Sequence, residues 1–194
     1  QANALVIGLD KLLPLLDSLH ACFSDAGVDA SFRRFGAFVD AFTKMKSVGE
    51  FRELRERGVL GVALGLESGS PSVLEVLGKP AEADAAVELA ARLHEAGIGL
   101  GIIVLVGAGG ERLAQDHVDR TVQTIVRMAP RSKDRIYLSP LVLHTDSAYA
   151  ERSLMLRALT PQAIAAQGLE MEAQLRSAGV RVPIARYDLR RFVY

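Results

Sequence analysis

The sequence predicts an α/β domain in which parallel β-strands alternate with crossover helices. Short apolar runs alternate four times with segments whose apolar residues follow helical spacing. The strands recur about every 25 to 40 residues, as in strand-helix-strand units. The run 99–106 is almost uninterrupted in its apolar character, which is typical of a strand covered on both faces. No low-complexity linker interrupts the 194 residues, so we expect one domain over residues 1–194.

The first half of the chain contains signals for four helices and two strands. Leucines at helical spacing follow Asp10, and Ser47 with Glu50 has the spacing of a capping box. Gly58 and Gly97 are typical of residues just beyond helix ends. We therefore predict helices over about 10–23, 47–57, 71–77 and 83–96, and strands over 36–42 and 61–66.

The second half repeats the alternation with two strands and two long helices. A glycine-rich turn at 107–110 follows the strand 99–106 and precedes a helix whose core stripe runs from Val118 to Ala129. Thr160 with Pro161 is a typical helix start, and Gly179 a typical end. We predict a further strand over 136–143, and the tail 180–194 can add a short one.

Composition excludes several classes of function. Lys plus Arg and Asp plus Glu both number 23, so the net charge gives no sign of a nucleic-acid or anionic-membrane partner. The single cysteine, Cys22, excludes an internal disulfide and a metal site made of several thiolates of this chain; its apolar neighbours predict a buried thiol. No apolar run reaches the roughly 20 residues that span a bilayer, and no secretory signal is visible. We expect a cytoplasmic protein whose ligands are small molecules or proteins.

Ligands of such folds bind at the carboxyl ends of the strands, so the loops that follow the strands are the candidate sites. These loops comprise residues 43–46, 67–70, 107–111 and 144–147. Together they supply a carboxylate, hydroxyls, ammonium groups and backbone N–H groups. That set suits a polar ligand that carries both an ammonium and a carboxylate group.

Glu67 and Lys79 are the charged candidates. Glu67 directly follows a buried strand, where a carboxylate can accept hydrogen bonds from a ribose or an ammonium group. The alternative for this loop is a helix cap, because Ser68 or Ser70 can equally cap the helix that follows Pro71. Lys79 lies in a tight loop and is either the partner of a ligand carboxylate or a solvated lysine.

The glycine turn and one histidine complete the candidates. The turn at 107–110 lets backbone approach a ligand closely and precedes a helix with free N–H groups, but it has neither GxGxxG spacing nor a Walker lysine. His144 is the one histidine at a strand end, where acid or base chemistry is possible. His20, His94 and His117 fall in helices, and we expect them at the surface or in packing roles.

Several of these segments together resemble one enzyme superfamily. The matching segments, in chain order, are Asn3 to Leu5, Gly65 to Ser70, Val73-Leu74, Leu77 to Lys79, His94 to Gly97, Gly101 to Gly107 with Gly110-Glu111, and Ile136 to Leu141. They resemble the end of the second strand and the fourth, fifth and sixth strands of radical S-adenosylmethionine (SAM) enzymes.

The resemblance implies a partial (β/α)6 barrel of mostly parallel strands with outer helices. Members of this superfamily bind a [4Fe–4S] cluster through three cysteines spaced CxxxCxxC after the first strand, and the cluster cleaves SAM reductively to a 5′-deoxyadenosyl radical. This sequence has no such motif, so we expect no metal ligands here and expect the first strands, with their cysteine loop, to lie before residue 1.

The resemblance also assigns roles to residues. Glu67 and Ser68 would approach the SAM ribose or amino group, and Lys79 would pair with its carboxylate. The backbone from Val104 to Gly107 would flank the adenine. The substrate of the radical stays open, as does whether SAM is consumed.

A barrel without its first strands leaves an unpaired sheet edge near residues 36–42, which invites pairing with another copy or covering by the N-terminal helix. We therefore predict self-association or limited stability for this chain alone. Two other functions stay open. One is a degenerate barrel that binds a nucleotide or a protein without redox chemistry. The other is an ordinary barrel fragment that uses Glu67 and a lysine for proton transfer or aldol chemistry.

Overall fold

A single parallel sheet organises the chain. The computed structural model describes residues 4–29, 34–40, 45–80, 83–143 and 148–186. Five strands lie side by side in chain order, and every neighbouring pair is parallel. They are β1 (Phe35–Val39), β2 (Val59–Glu67), β3 (Gly99–Val106), β4 (Arg135–Pro140) and β5 (Ile184–Arg186). The predicted α/β class with parallel strands and outer helices is confirmed.

Helices connect these strands. They are α1 (Leu9–Asp25), α2 (Val48–Glu56), α3 (Pro71–Leu77), α4 (Ala83–Ala96), α5 (Gly110–Arg127), α6 (Ala148–Arg152) and α7 (Pro161–Ser177). Two 3-10 turns, Ala4–Val6 and Leu154–Leu156, complete the described elements. The capping box of Ser47 and Glu50 is present at the start of α2, as predicted. The sequence did not predict α6, and β4 ends three residues earlier than expected.

The strands bury one face more completely than the other. On β2 and β3 the residues packed against the helices are fully buried: Val62, Leu64, Leu66, Leu100, Ile102 and Val104. The residues between them, which include Gly61, Ala63, Gly65, Gly101 and Ile103, are only partly buried. We call the side of the sheet that carries these residues the inner face. On β2 this face carries the small residues Gly61, Ala63 and Gly65.

One prediction about α1 is wrong. The thiol of Cys22 is exposed, whereas the buried residues of this helix are Leu12 and Leu16. Cys22 follows Leu16 by six positions, which places it roughly a third of a turn away from the buried stripe. Its apolar neighbours therefore gave a misleading signal.

The outer edge of β1 and the character of the helices bear on two further expectations, self-association and membrane spanning. Among the described residues, β1 pairs only with β2, so the predicted sheet edge is present over Phe35–Val39, and self-association stays a prediction. Within the described ranges, no helix combines the length and apolar character needed to cross a membrane.

Candidate functional site

The carboxyl end of β2 makes an unusual turn at Glu67. This residue has a φ of 59°, and the Ser68 N–H donates to the Leu66 carbonyl at 2.6 Å. A bond between residues two apart around a positive φ defines the rarer, strained form of the γ-turn. Backbone of this kind costs on the order of 1–3 kcal/mol and persists only where the surroundings impose it. The pairing of β2 with β3 also shifts register here.

The turn brings Glu67 to two other charged side chains. The Lys79 Nζ lies 3.3 Å from Asp40 Oδ1 and 3.8 Å from Glu67 Oε1. A Cβ on Gly65 would lie 2.8 Å from Glu67 Oε1 and 3.5 Å from Asp40 Oδ1, so both carboxylates lie over Gly65 on the inner face. We call Asp40, Glu67 and Lys79 the Glu67 cluster. The predicted residues Glu67 and Lys79 are thus brought together.

Local structure fixes the position of Lys79. The helix α3 ends with two hydrogen bonds, from Gly78 N–H to Glu75 O and from Lys79 N–H to Leu74 O, both at 2.9 Å. This pair is the Schellman arrangement, which reverses the chain at a helix end. Since α3 has only two turns, the reversal returns Lys79 to the strand end from which the helix departed.

Burial controls the ionisation of Glu67. Desolvation raises the pKa of its carboxyl group above the ordinary value, Lys79 opposes that rise, and Asp40 adds to it. A ligand that donates hydrogen bonds or carries positive charge would offset the desolvation of the ionised form.

Ser68 points away from this cluster. Its side chain is fully buried, and its Oγ lies 2.8 Å from His117 Nδ1 on α5 and accepts the Ser70 N–H at 2.9 Å. The cap of α3 is Ser70, whose Oγ accepts from Val73 N–H at 3.2 Å and bonds to Asp116. The helix-cap alternative therefore holds for Ser70, and a ligand contact by Ser68 stays a prediction.

Most of the backbone N–H groups in the turn after β3 donate hydrogen bonds within the protein. Gly107 has a φ of 95°, and its N–H donates to Gln167 Oε1 at 2.8 Å. The N–H of Gly109 donates to the Tyr149 hydroxyl at 3.0 Å, and that of Glu111 to Arg157 O at 2.8 Å. These N–H groups, which the sequence predicted to be free, have protein partners.

Val104 and Ser139 lie on opposite faces of the sheet. Val104 is buried beneath the helices, so its backbone alone is available at the strand end. Ser139 pairs with Leu105 on the inner face and is buried. Within the described part of the chain, its Oγ is the one buried side-chain polar atom with no hydrogen-bond partner. Such a group costs about 1–3 kcal/mol when it is buried without a partner.

Sequence reasoning missed Asp40 and Ser139. Asp40 follows Val39, the last residue of β1, but the strand was expected to continue to residue 42. An earlier strand end would have placed this carboxylate among the candidates. His144, together with residues 43–44 and 145–147 of the candidate loops and Asn3, lies outside the described residues.

The described residues include no set of ligands for an iron–sulfur cluster. Within the described ranges, no group of three or more His, Cys, Asp or Glu side chains is placed to hold a metal ion. The whole chain contains a single cysteine. Its residues therefore do not fit a [4Fe–4S] cluster, which needs several thiolates.

A solved structure has the same arrangement of strands and helices. Coproporphyrinogen III oxidase (HemN) from Escherichia coli, a radical SAM enzyme, matches with a TM-score of 0.69 and 15% sequence identity. The match covers 89% of this chain and 38% of that chain. The two chains share a fold.

This likeness confirms the expected radical SAM-like fold. The chain spans well under half the length of HemN, and the identity is too low to carry activity across. No sequence model of a protein family matches the chain, and no curated protein matches it in sequence.

Proposed function

We propose that this chain forms the SAM-binding side of a radical SAM-type enzyme, with the [4Fe–4S] ligands outside the chain. One observation carries the proposal: the Glu67 carboxylate is held in a strained turn at the carboxyl end of β2, beside Asp40 and Lys79. Ligands of parallel α/β folds bind at this end of the sheet. The fold that the chain shares with HemN supports the same assignment.

The donors and acceptors of the inner face suit SAM. The carboxylates of Glu67 and Asp40 can accept hydrogen bonds from ribose hydroxyls or from the ammonium group. Lys79 can exchange its pairing with Asp40 for the methionyl carboxylate. The backbone from Val104 to Gly107, at the carboxyl end of β3, would border the adenine.

The chain's own residues bind and orient the ligand in this proposal. A reduced cluster held by residues outside this chain would, together with bound SAM, supply a 5′-deoxyadenosyl radical. Glu67 contributes by fixing the ribose and ammonium groups relative to the sheet, because its backbone turn leaves the carboxylate little freedom. The burial that raises its pKa also keeps water from competing for these hydrogen bonds.

Calorimetry with SAM tests the binding step. We expect the protein purified anaerobically from its own gene to bind SAM, and Glu67→Gln to weaken binding about tenfold or more, since hydrogen bonds to charged groups contribute about 1.5–3 kcal/mol. Glu88→Gln is the matched control, because Glu88 forms an exposed ion pair with Arg92 on α4. Equal affinities in all three proteins would contradict the proposal.

Iron analysis of the same sample separates the enzyme from the alternative. About four irons per chain, with SAM binding, support the radical enzyme. SAM or nucleotide binding without iron after anaerobic purification supports a binding module that uses the same cluster of residues. The single cysteine of this chain is the observation that keeps this second function in view.

A further inference from the structure

The segment that follows Glu67 is pressed against α5. The Gly69 N–H donates to Thr121 Oγ1 at 2.9 Å, one turn along the helix from the contact between Ser68 and His117. Any Cβ at position 69 would overlap the backbone carbonyl of Arg120, so only glycine permits this approach. We call Ser68, His117 and Thr121 the α5 clamp.

The hydrogen bonds of His117 define its tautomer. Its Nε2 lies 3.0 Å from the Leu105 carbonyl oxygen, which can only accept, so Nε2 carries the proton. Nδ1 is then an acceptor, and the Ser68 hydroxyl donates to it. The same hydroxyl accepts the Ser70 N–H. Every donor in this chain of bonds has an acceptor, and the imidazole is neutral.

The surroundings of His117 favour that neutral form. Burial lowers the pKa of His117 to about 4, while its bond to Leu105 and the charge of Asp116 oppose the shift. The other groups that face the ring, Ser68 and Thr121, are uncharged hydroxyls. The clamp therefore keeps one arrangement at neutral pH.

The clamp supplies the restraint that the strained turn needs. Ser68 is fixed twice, by its N–H on Leu66 O and by its hydroxyl on His117. Through Nε2, His117 also joins the end of β3 to the end of β2. We propose that His117 is a positioning residue, which acts through Ser68 to hold Glu67 in the γ-turn that keeps its carboxylate beside Lys79 and Asp40.

This inference deepens the proposed function, and its consequence for SAM binding rests on that function. Its geometric content does not need a ligand. A histidine that only packs would change stability when replaced and leave the ionisation of Glu67 unchanged. A positioning histidine would change the environment of the Glu67 carboxylate as well.

Titration of Glu67 by NMR separates the two roles. Glutamate side chains labelled with carbon-13 report each carboxyl pKa, and Glu67→Gln identifies the signal of Glu67. We expect the wild-type pKa above the ordinary glutamate range and a shift toward that range in Ser68→Ala, because the freed turn exposes the carboxylate. An unchanged pKa of Glu67 in Ser68→Ala would overturn the proposal.

Two replacements of His117 sharpen the test. The amide oxygen of asparagine can take the place of Nδ1 as acceptor for Ser68, whereas the amide nitrogen of glutamine can take the place of Nε2 as donor to Leu105. We expect His117→Gln to shift the Glu67 pKa as Ser68→Ala does, and His117→Asn to shift it less. The reverse order would contradict the action through Ser68.

A control variant and a measurement of SAM binding complete the test. Ser47→Ala removes a helix-capping bond on α2, where Ser47 accepts from Glu50 N–H, and should lose stability without shifting the Glu67 pKa. If wild type binds SAM, Ser68→Ala should weaken binding about tenfold. A Glu67 shift in a protein that does not bind SAM would support the positioning role and overturn the proposed function alone.

Discussion

Two buried histidines at opposite ends of the sheet have contrasting partners. His94 of α4 lies at the amino ends of the strands, with its Nε2 2.7 Å from Asp134 Oδ2. The same carboxylate accepts from Leu100 N–H at 2.8 Å and from Arg131 N–H at 2.6 Å. His117 lies at the carboxyl ends, and its ring nitrogens contact neutral groups: the hydroxyls of Ser68 and Thr121 and the Leu105 carbonyl oxygen.

The networks around His94 and His117 differ in charge. Burial by itself would raise the pKa of Asp134, but the bonds from His94, Arg131 N–H and Leu100 N–H hold it below the ordinary value. The network around Asp134, at the amino ends of the strands, is therefore built on an ionised carboxylate with several donors; we call it the amino-terminal network. The network around His117, at the carboxyl ends, is built on a neutral imidazole; we call it the carboxyl-terminal network. This fits the general division of parallel α/β folds, in which the amino-terminal end serves stability and the carboxyl-terminal end binds ligands.

The largest expected effect comes from removing the buried carboxylate. We expect Asp134→Ala to lower the free energy of unfolding by about 3–5 kcal/mol, because His94 and two backbone N–H groups lose their acceptor inside the protein. Urea unfolding at neutral pH measures the loss. The Glu67 pKa should not change, since Asp134 lies at the other end of the sheet.

Asp84→Ala is the control for that experiment. Asp84 pairs with Arg127, but its side chain is 85% exposed. Exposed ion pairs contribute about 0–1 kcal/mol. Losses of equal size in Asp84→Ala and Asp134→Ala would show that the amino-terminal network does not stabilise the fold.

Acid should act on the two networks in different pH ranges. As the pH falls from about 6.5 to about 4, the unfolded chain takes up a proton at His117 that the folded protein does not bind, so stability decreases by about 3 kcal/mol. The contribution of Asp134 is present above its ordinary pKa of 3.8 and is lost only at still lower pH, as its folded-state carboxyl protonates.

Urea unfolding across this pH range tests the assignment. In His117→Gln the decrease between pH 6.5 and 4 should be about 3 kcal/mol smaller than in wild type. The raised pKa of Glu67 acts with the opposite sign, because its contribution is lost as the pH rises, and His117→Gln is expected to change it, so the two proteins are compared with Glu67→Gln added to both. Parallel curves for the two proteins would contradict a buried, neutral His117.

The fold followed from local patterns because these patterns report local causes. The apolar run of β3 and the amphipathic spacing of α4 gave the observed limits, Gly99–Val106 and Ala83–Ala96. The capping box at Ser47 is likewise a bond between near neighbours. β4 ended early, since the apolar residues 141–143 continue the sequence pattern beyond the last ladder pair, Val106 with Pro140. The five-residue helix α6 has no comparable periodic signal.

The site was predictable only in part, because its geometry depends on distant residues. Glu67 could be selected as a candidate binding residue because it directly follows a strand, and Lys79 because it lies in a tight loop. His117 was expected in a helix as a surface or packing residue, but its partner Ser68 is 49 residues away in sequence. No local pattern indicates that contact, or that the Ser139 hydroxyl is buried without a partner.

The smallest expected effect tests the strain at Glu67 directly. Glu67→Gly and Glu67→Ala both remove the carboxylate, but alanine at a positive φ costs about 1–2 kcal/mol that glycine does not. Glycine loses about 0.5–1 kcal/mol more chain entropy on folding, so Glu67→Gly should remain the more stable by about 1 kcal/mol in urea unfolding.

The control is Glu88, in the middle of α4, where the order should reverse and alanine should be the more stable. If alanine is at least as stable as glycine at position 67, the turn stores no strain. If the advantage of glycine disappears once Ser68→Ala is added, the α5 clamp imposes the turn. The network at the carboxyl ends of the strands then holds a strained backbone at a cost in stability, whereas the network at the amino ends stabilises the fold.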